Sequence, residues 1–245
     1  MNSYKTNGYI LVKGLYSAKE LNKIKPIINS FHAKWKTNNR EFYKSRAINS
    51  SGITNSEYLT AQQNKILFNL IANGKLIKRV KDAISEPLFL NTQLFFDPVN
   101  VRQKNYWHRD MQYHLNLAQQ QAALNGPDVL HCRLALQDEP GIELVPQSHK
   151  SWDTLEELNV RLAKNNKLPS DNLTTGKTIK LNAGDLLLFS ANMIHRGLYG
   201  KNRLALDIIF CENAPQLTAF INAANTPSSA IANKTANPQV FFNPL

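Results

Sequence analysis

The chain is 245 residues long with a formal net charge of +11, and its 42% hydrophobic and 19% charged residues are ordinary for a globular protein. Two cysteines exclude a disulfide-stapled framework, and no run approaches the roughly 20 apolar residues of a membrane-spanning helix. The start of the sequence lacks the apolar core of a secretion signal, so a cytoplasmic protein is expected, with no membrane partner.

The length suits one domain over 1–245, with a core large enough to need no staples. Residues 1–87 read as a mostly helical N-terminal part. Ser17 and Glu20 form a capping box, and Leu21, Ile24, Ile28, Phe31 and Trp35 follow at helical spacing, with Pro26 expected to kink the helix or shift its start. Further helices are expected over 59–72, stopping near Gly74, and over 75–84, ending before Pro87.

From residue 88 the period changes to two. Residues 88–96 alternate, and strands are expected at 130–136, 142–145, 178–181, 186–189 and 204–210, separated by Gly-, Pro- and Asn-containing turns. Two helical insertions interrupt this core, near 115–124 and 151–164, the second opening on Thr154 and Glu157. The tail, 213–245, reads as irregular, with Phe241 and Phe242 tucked onto the body. Many short strands with helices outside imply a mainly β chain whose core over 88–212 is a double-stranded β-helix, or cupin-like jelly roll. Parallel β-α-β alternation is absent, which argues against a Rossmann layout.

The chemistry concentrates in three places. Trp107-His108-Arg109-Asp110 contains H-x-D, and side chains at i and i+2 share one face of a strand, so an imidazole and a carboxylate can converge on one ion. Alone this pattern is weak. Further on, the turn Ala183-Gly184-Asp185 leads through an apolar strand to His195, a third donor from a distant part of the sheet. Two histidines and one carboxylate form the facial triad of non-haem iron(II) oxygenases, and leave three positions for a bidentate oxo-acid and dioxygen. Such an acid with a second carboxylate needs a guanidinium clamp, which Arg203 supplies at the head of the next strand. Gln93 and Arg133 are candidates to reach the oxo-acid or the substrate from neighbouring strands, or to bond internally. His149 is read as a turn-stabilising residue, His114 and His131 as pocket wall or satisfied core, and His32 as surface.

These segments together resemble the phytanoyl-CoA dioxygenase family. The resemblance runs from Gly8-Tyr9-Ile10-Leu11-Val12 to Phe210 and rests on Trp107-His108-Arg109-Asp110, on Gly141 through Pro146-Gln147-Ser148-His149, and on Gly184-Asp185 through His195 to Arg203. It implies His108, Asp110 and His195 as iron(II) ligands and Arg203 as the 2-oxoglutarate anchor. It also implies dioxygen as oxidant and a small-molecule substrate that is hydroxylated as 2-oxoglutarate becomes succinate and carbon dioxide. Three departures stand out. Arg109 sits where Gln is common, Gln147 replaces the glycine of a Pro-Gly-Ser-His turn, and the spacing from His195 to Arg203 is slightly short. Asp110 is present where related halogenases have a small residue, which implies hydroxylation.

The basic charge leaves a nucleic-acid-modifying oxygenase as one alternative and a non-catalytic or zinc-binding jelly roll as another. The lysines are spread along the chain, with one modest cluster at Lys75, Lys78, Arg79 and Lys81, so a solvated surface with no specific nucleic-acid partner is expected. The resemblance does not identify the substrate.

Overall fold

Alternation along the strands sorts side chains between two environments, and that sorting sets the architecture. The computed structural model describes residues 3–55 and 57–242. Among them, nine strands form two antiparallel sheets: β1 (Tyr9–Val12), β2 (Asn49–Ser51), β3 (Pro87–Phe96), β4 (Val129–Ala135), β5 (Glu139–Leu144), β6 (Lys177–Leu181), β7 (Leu186–Ser190), β8 (His195–Gly197) and β9 (Leu204–Glu212). The larger sheet has the order β1-β7-β4-β9-β3-β2 and the smaller β6-β5-β8. From β4 onward the chain passes back and forth between the sheets, as a jelly roll requires.

On the larger sheet, one set of alternate residues packs outward against helices. Leu130, Cys132 and Leu134 of β4, Leu94 and Phe96 of β3, and Leu206, Ile208 and Phe210 of β9 join the core that includes Ile28, Phe31, Leu67 and Leu76. The other set faces a cavity between the sheets: Gln93 and Phe95, His131 and Arg133, Asp207 and Ile209. Register places Gln93, Asp207 and Arg133 in one row across β3, β9 and β4.

The flanking helices are α1 (Ser3–Asn7), α2 (Ala18–Asn38), α3 (Arg40–Ser45), α4 (Ala61–Ile71), α5 (Gly74–Lys81), α6 (Leu117–Ala123), α7 (Leu155–Arg161), α8 (Pro215–Thr218) and α9 (Ser229–Ala232). The Ser17/Glu20 and Thr154/Glu157 capping boxes are both formed. Contrary to expectation, α2 runs on through Pro26. Pro26 and Asn22 lie on the exposed face, where the carbonyl that loses its partner can meet water. Gly74 does not cap α4 but begins α5, behind an Asn73 cap.

The helical reading of the N-terminal part missed β1, which pairs with β7, and β2, which pairs with β3. Four and three residues are too few to display a period. The tail is less irregular than expected, since it holds α8, α9 and two 3-10 turns. Phe241 packs edge-on against Phe68 and Phe89, with ring centroids 5.6 and 5.8 Å away. Among the described residues, no helix is long and apolar enough to cross a membrane.

Candidate active site

His108 and His195 are joined by their backbones. His108 N donates to His195 O at 3.0 Å and His195 N to His108 O at 2.9 Å, an antiparallel bridge that adds His108 to the β8 edge of the smaller sheet. Asp110 departs from the strand geometry expected for H-x-D. It opens a 3-10 turn, Asp110–Tyr113, and its N–H donates to Ala191 O at 3.2 Å. The chain leaves the sheet edge after His108, and the turn swings the carboxylate back toward both imidazoles. Asp110 Oδ1 lies 3.4 Å from His108 Nε2 and 3.7 Å from His195 Nε2. Donors about 2.1 Å from one ion and at right angles lie about 3 Å apart, and the three atoms here lie within 4.8 Å of one another, so they fit a shared metal once drawn together.

The tautomers suit the same task. His108 Nδ1–H donates to Tyr106 O at 3.1 Å and His195 Nδ1–H to Met193 O at 3.0 Å, which leaves each Nε2 lone pair facing Asp110. Burial, reinforced by the nearby His108, pushes His195 down to about 3, so its ring is neutral. Burial alone would raise the Asp110 carboxyl, but the surrounding imidazoles, of which His131 is protonated and bonded to Oδ2, hold it well below the usual range.

His131, read from sequence as wall or core, orients Asp110. Its Nε2 donates to Asp110 Oδ2 at 2.8 Å and its Nδ1 to Asp207 Oδ2 at 3.1 Å. Burial opposes its charge, yet the two carboxylates outweigh burial and raise it to about 10. Only an imidazolium can donate from both ring nitrogens. The signal was its position two residues before Arg133, on the same strand face.

The neighbouring motifs hold the ligands in place. Ser148 Oγ donates to Val145 O at 2.7 Å and accepts from Ile194 N at 2.9 Å, tying the Pro146-Gln147-Ser148-His149 turn to the residue before His195. Gln147 has φ 70°, the left-handed backbone that explains why glycine is usual there. Arg109, fully buried, donates to Asp153 from Nε and Nη2 at 2.9 and 2.7 Å, and to the carbonyls of Ser148, Ser151 and Asn192. It thus braces the segments before and after the ligands. His149 is buried beside Gly8 and is not in the metal-competent cluster. His32, expected at the surface, has a buried Nδ1 and packs on Phe96 at 4.6 Å.

The two arginines on the cavity floor differ. Arg133 is bidentate to Glu139, at 2.9 and 3.1 Å, and has Asp207 at 3.5 Å. Its Nε and Nη2 are engaged by Glu139. Arg203 lies over Phe95 and Tyr199, with Glu139 only as near as 3.8 Å, and its buried Nε and Nη1 have no hydrogen-bond partner. Burial, with Arg133 nearby, lowers it to about 10, yet it stays protonated at neutral pH. A buried, orphaned guanidinium is what an absent carboxylate would leave behind. The residues therefore fit both a metal and a dicarboxylic oxo-acid. Gln93 lines the same cavity, opposite Asp207 in register.

A double-stranded β-helix with this cluster defines the class of non-haem iron(II), 2-oxoglutarate-dependent oxygenases. The model of the family described as phytanoyl-CoA dioxygenase (PhyH) matches residues 4–202, and the chain belongs to that family. No curated protein matches the sequence. Solved structures similar in fold include HygX from Streptomyces hygroscopicus with nickel and 2-oxoglutarate bound, with TM-score 0.62 at 14% identity over 87% of this chain and 90% of that one. AviO1 from Streptomyces viridochromogenes Tue57 follows, with TM-score 0.59 at 15% identity over 86% and 93%. EctD from S. alaskensis in its apoform has TM-score 0.59 at 16% identity over 86% and 75%.

Proposed function

We propose that the protein hydroxylates a small molecule, using iron(II), 2-oxoglutarate and dioxygen and releasing succinate and carbon dioxide. The observation that carries this reading is the orphaned Arg203 guanidinium in the same cavity as the His108–Asp110–His195 cluster. Iron with 2-oxoglutarate, when bound, supplies the oxidising power for an unactivated C–H bond.

The remaining work belongs to the chain. His108 and His195 present Nε2 atoms, Asp110 presents Oδ1, and His131 holds Oδ2 so that the carboxylate cannot rotate. Arg203 receives the distal carboxylate of 2-oxoglutarate, and Gln93 offers an amide from the adjacent strand. Arg133 acts indirectly, by holding Glu139 away from Arg203. The presence of Asp110 supports hydroxylation over halogenation, since no ligand position is left for chloride. The buried, unpaired Cys132 and Cys211 support a reducing, cytoplasmic setting.

The test is product analysis. Purified protein with iron(II), 2-oxoglutarate and air should form succinate, and the His195→Ala variant should not. A candidate-substrate screen should raise succinate above that background with a hydroxylated product. A chlorinated product from wild type in chloride would overturn the hydroxylase reading, and a salt-resistant nucleic-acid complex would overturn the small-molecule one.

A further inference from the structure

The cavity has a volume of about 910 Å³, near the upper end for sites that hold drug-sized ligands, so 2-oxoglutarate alone would leave most of it empty. What lines the rest is informative by its charge. Although the chain carries +11 overall, no lysine lines the cavity among the described residues. On the floor, Arg133 is neutralised by Glu139 and Asp207, and His131 is held between Asp207 and Asp110. Arg203 is reserved for the co-substrate. The remaining polar groups are neutral, chiefly the amides of Asn49, Gln119 and Gln216 and the phenols of Tyr106 and Tyr113, with His114 at the rim. The rest is apolar, including Leu90, Met111, Leu115, Val129 and Leu217. Asp207 Oδ1 makes no hydrogen bond but faces Arg133 at 3.5 Å on the floor, so a charged group in the outer part of the cavity would have no free partner, and burying an unpaired charge is far costlier than burying a neutral hydroxyl.

The mouth carries a second signal. Tyr113 and Phe220 line the cavity and are 54% and 65% exposed, large apolar surfaces left to solvent at its edge. Phe220 stands 6.1 Å from His114, and with Gln216 and Leu217 it belongs to the segment beginning with α8. That segment follows residue 202, where the family match ends. One wall of the cavity is therefore built by residues outside the shared pattern.

We propose that the substrate portion entering this cavity is uncharged and largely apolar, and that Leu217 and Phe220 form the wall that selects it. This rests on the oxygenase reading and deepens it by naming the substrate class.

The test uses three fluorescent probes of one shape: 1-pyrenemethanol, 1-pyrenecarboxylate and 1-pyrenemethylammonium. Each is titrated anaerobically into protein loaded with iron(II) and 2-oxoglutarate. The neutral probe should bind about tenfold or more tighter than either charged one. Leu217→Ser and Phe220→Ser should each weaken it several-fold while leaving the 2-oxoglutarate absorption band unchanged. Phe220 is exposed, so its replacement does not threaten folding. The proposal falls if a charged probe binds as tightly as the neutral one, if the neutral probe does not bind, or if neither wall variant weakens it. An absent 2-oxoglutarate band would instead sink the oxygenase reading, while the ranking of the probes would still decide the substrate class.

Discussion

Two guanidiniums lie on the floor of one cavity in opposite states. Around Arg133 most of the charge is paired within the protein, since Glu139 holds it in bidentate fashion and Asp207 lies 3.5 Å away. Around Arg203 the protein is unfinished, with two buried donors that make no hydrogen bond and Glu139 only as near as 3.8 Å. Such an orphan is tolerated where a ligand relieves it, so the contrast supports the proposed division of labour, with Arg133 structural and Arg203 the co-substrate anchor.

The comparison breaks most visibly on stability. Arg133→Met takes the bidentate cation from Glu139, leaving it only Arg203 at 3.8 Å, and should cost about 3–5 kcal/mol in urea unfolding. Arg203→Met removes a buried charge whose nearest carboxylate, Glu139, is 3.8 Å away and already held by Arg133, so the same measurement should show a much smaller loss. A large loss from Arg203→Met would mean that the two regions are not different after all.

Binding should reverse the order. Arg203→Met should weaken 2-oxoglutarate by about 30-fold or more while iron still binds, as measured by anaerobic titration. Arg203→Lys should fall between it and wild type, because an ammonium lacks the forked geometry. A subtler version acts from the next strand. Gly197 lies against Arg203, and an added Cβ would come within 2.5 Å of Nη2. Gly197→Ala should therefore displace the clamp and raise the 2-oxoglutarate Kd about tenfold, with the metal site intact.

The smallest effect concerns neither arginine. Gln147 holds φ 70°, so Gln147→Gly should relieve strain and, after the flexibility that glycine adds to the unfolded chain, raise stability by about 0.5 kcal/mol in thermal unfolding. A loss would show that the Gln147 side chain itself contributes to the turn.

The same contrast explains what the sequence could disclose. His108, Asp110, His195 and Arg203 were legible because each stands in a short motif next to a strand or turn with its own signal. The alternation 203, 205, 207, 209 was legible too, and that face does look into the cavity through Arg203, Asp207 and Ile209. Partnership was not legible. That Arg133 is engaged by Glu139, and that His131 bridges Asp110 and Asp207, depends on contacts between residues up to 76 positions apart. β1, β2 and β8 escaped for a related reason, because strands of three or four residues exist only through the partner they pair with.

The most direct test of the central claim is the visible absorption of 2-oxoglutarate bound to iron(II), recorded without oxygen. Wild type should develop the band on titration. The His195→Ala variant should not, and the Arg203→Met variant should require far more 2-oxoglutarate to reach the same intensity. If the Arg203→Met protein saturates at the wild-type concentration, the orphaned guanidinium is not the co-substrate anchor and the account of this cavity is wrong.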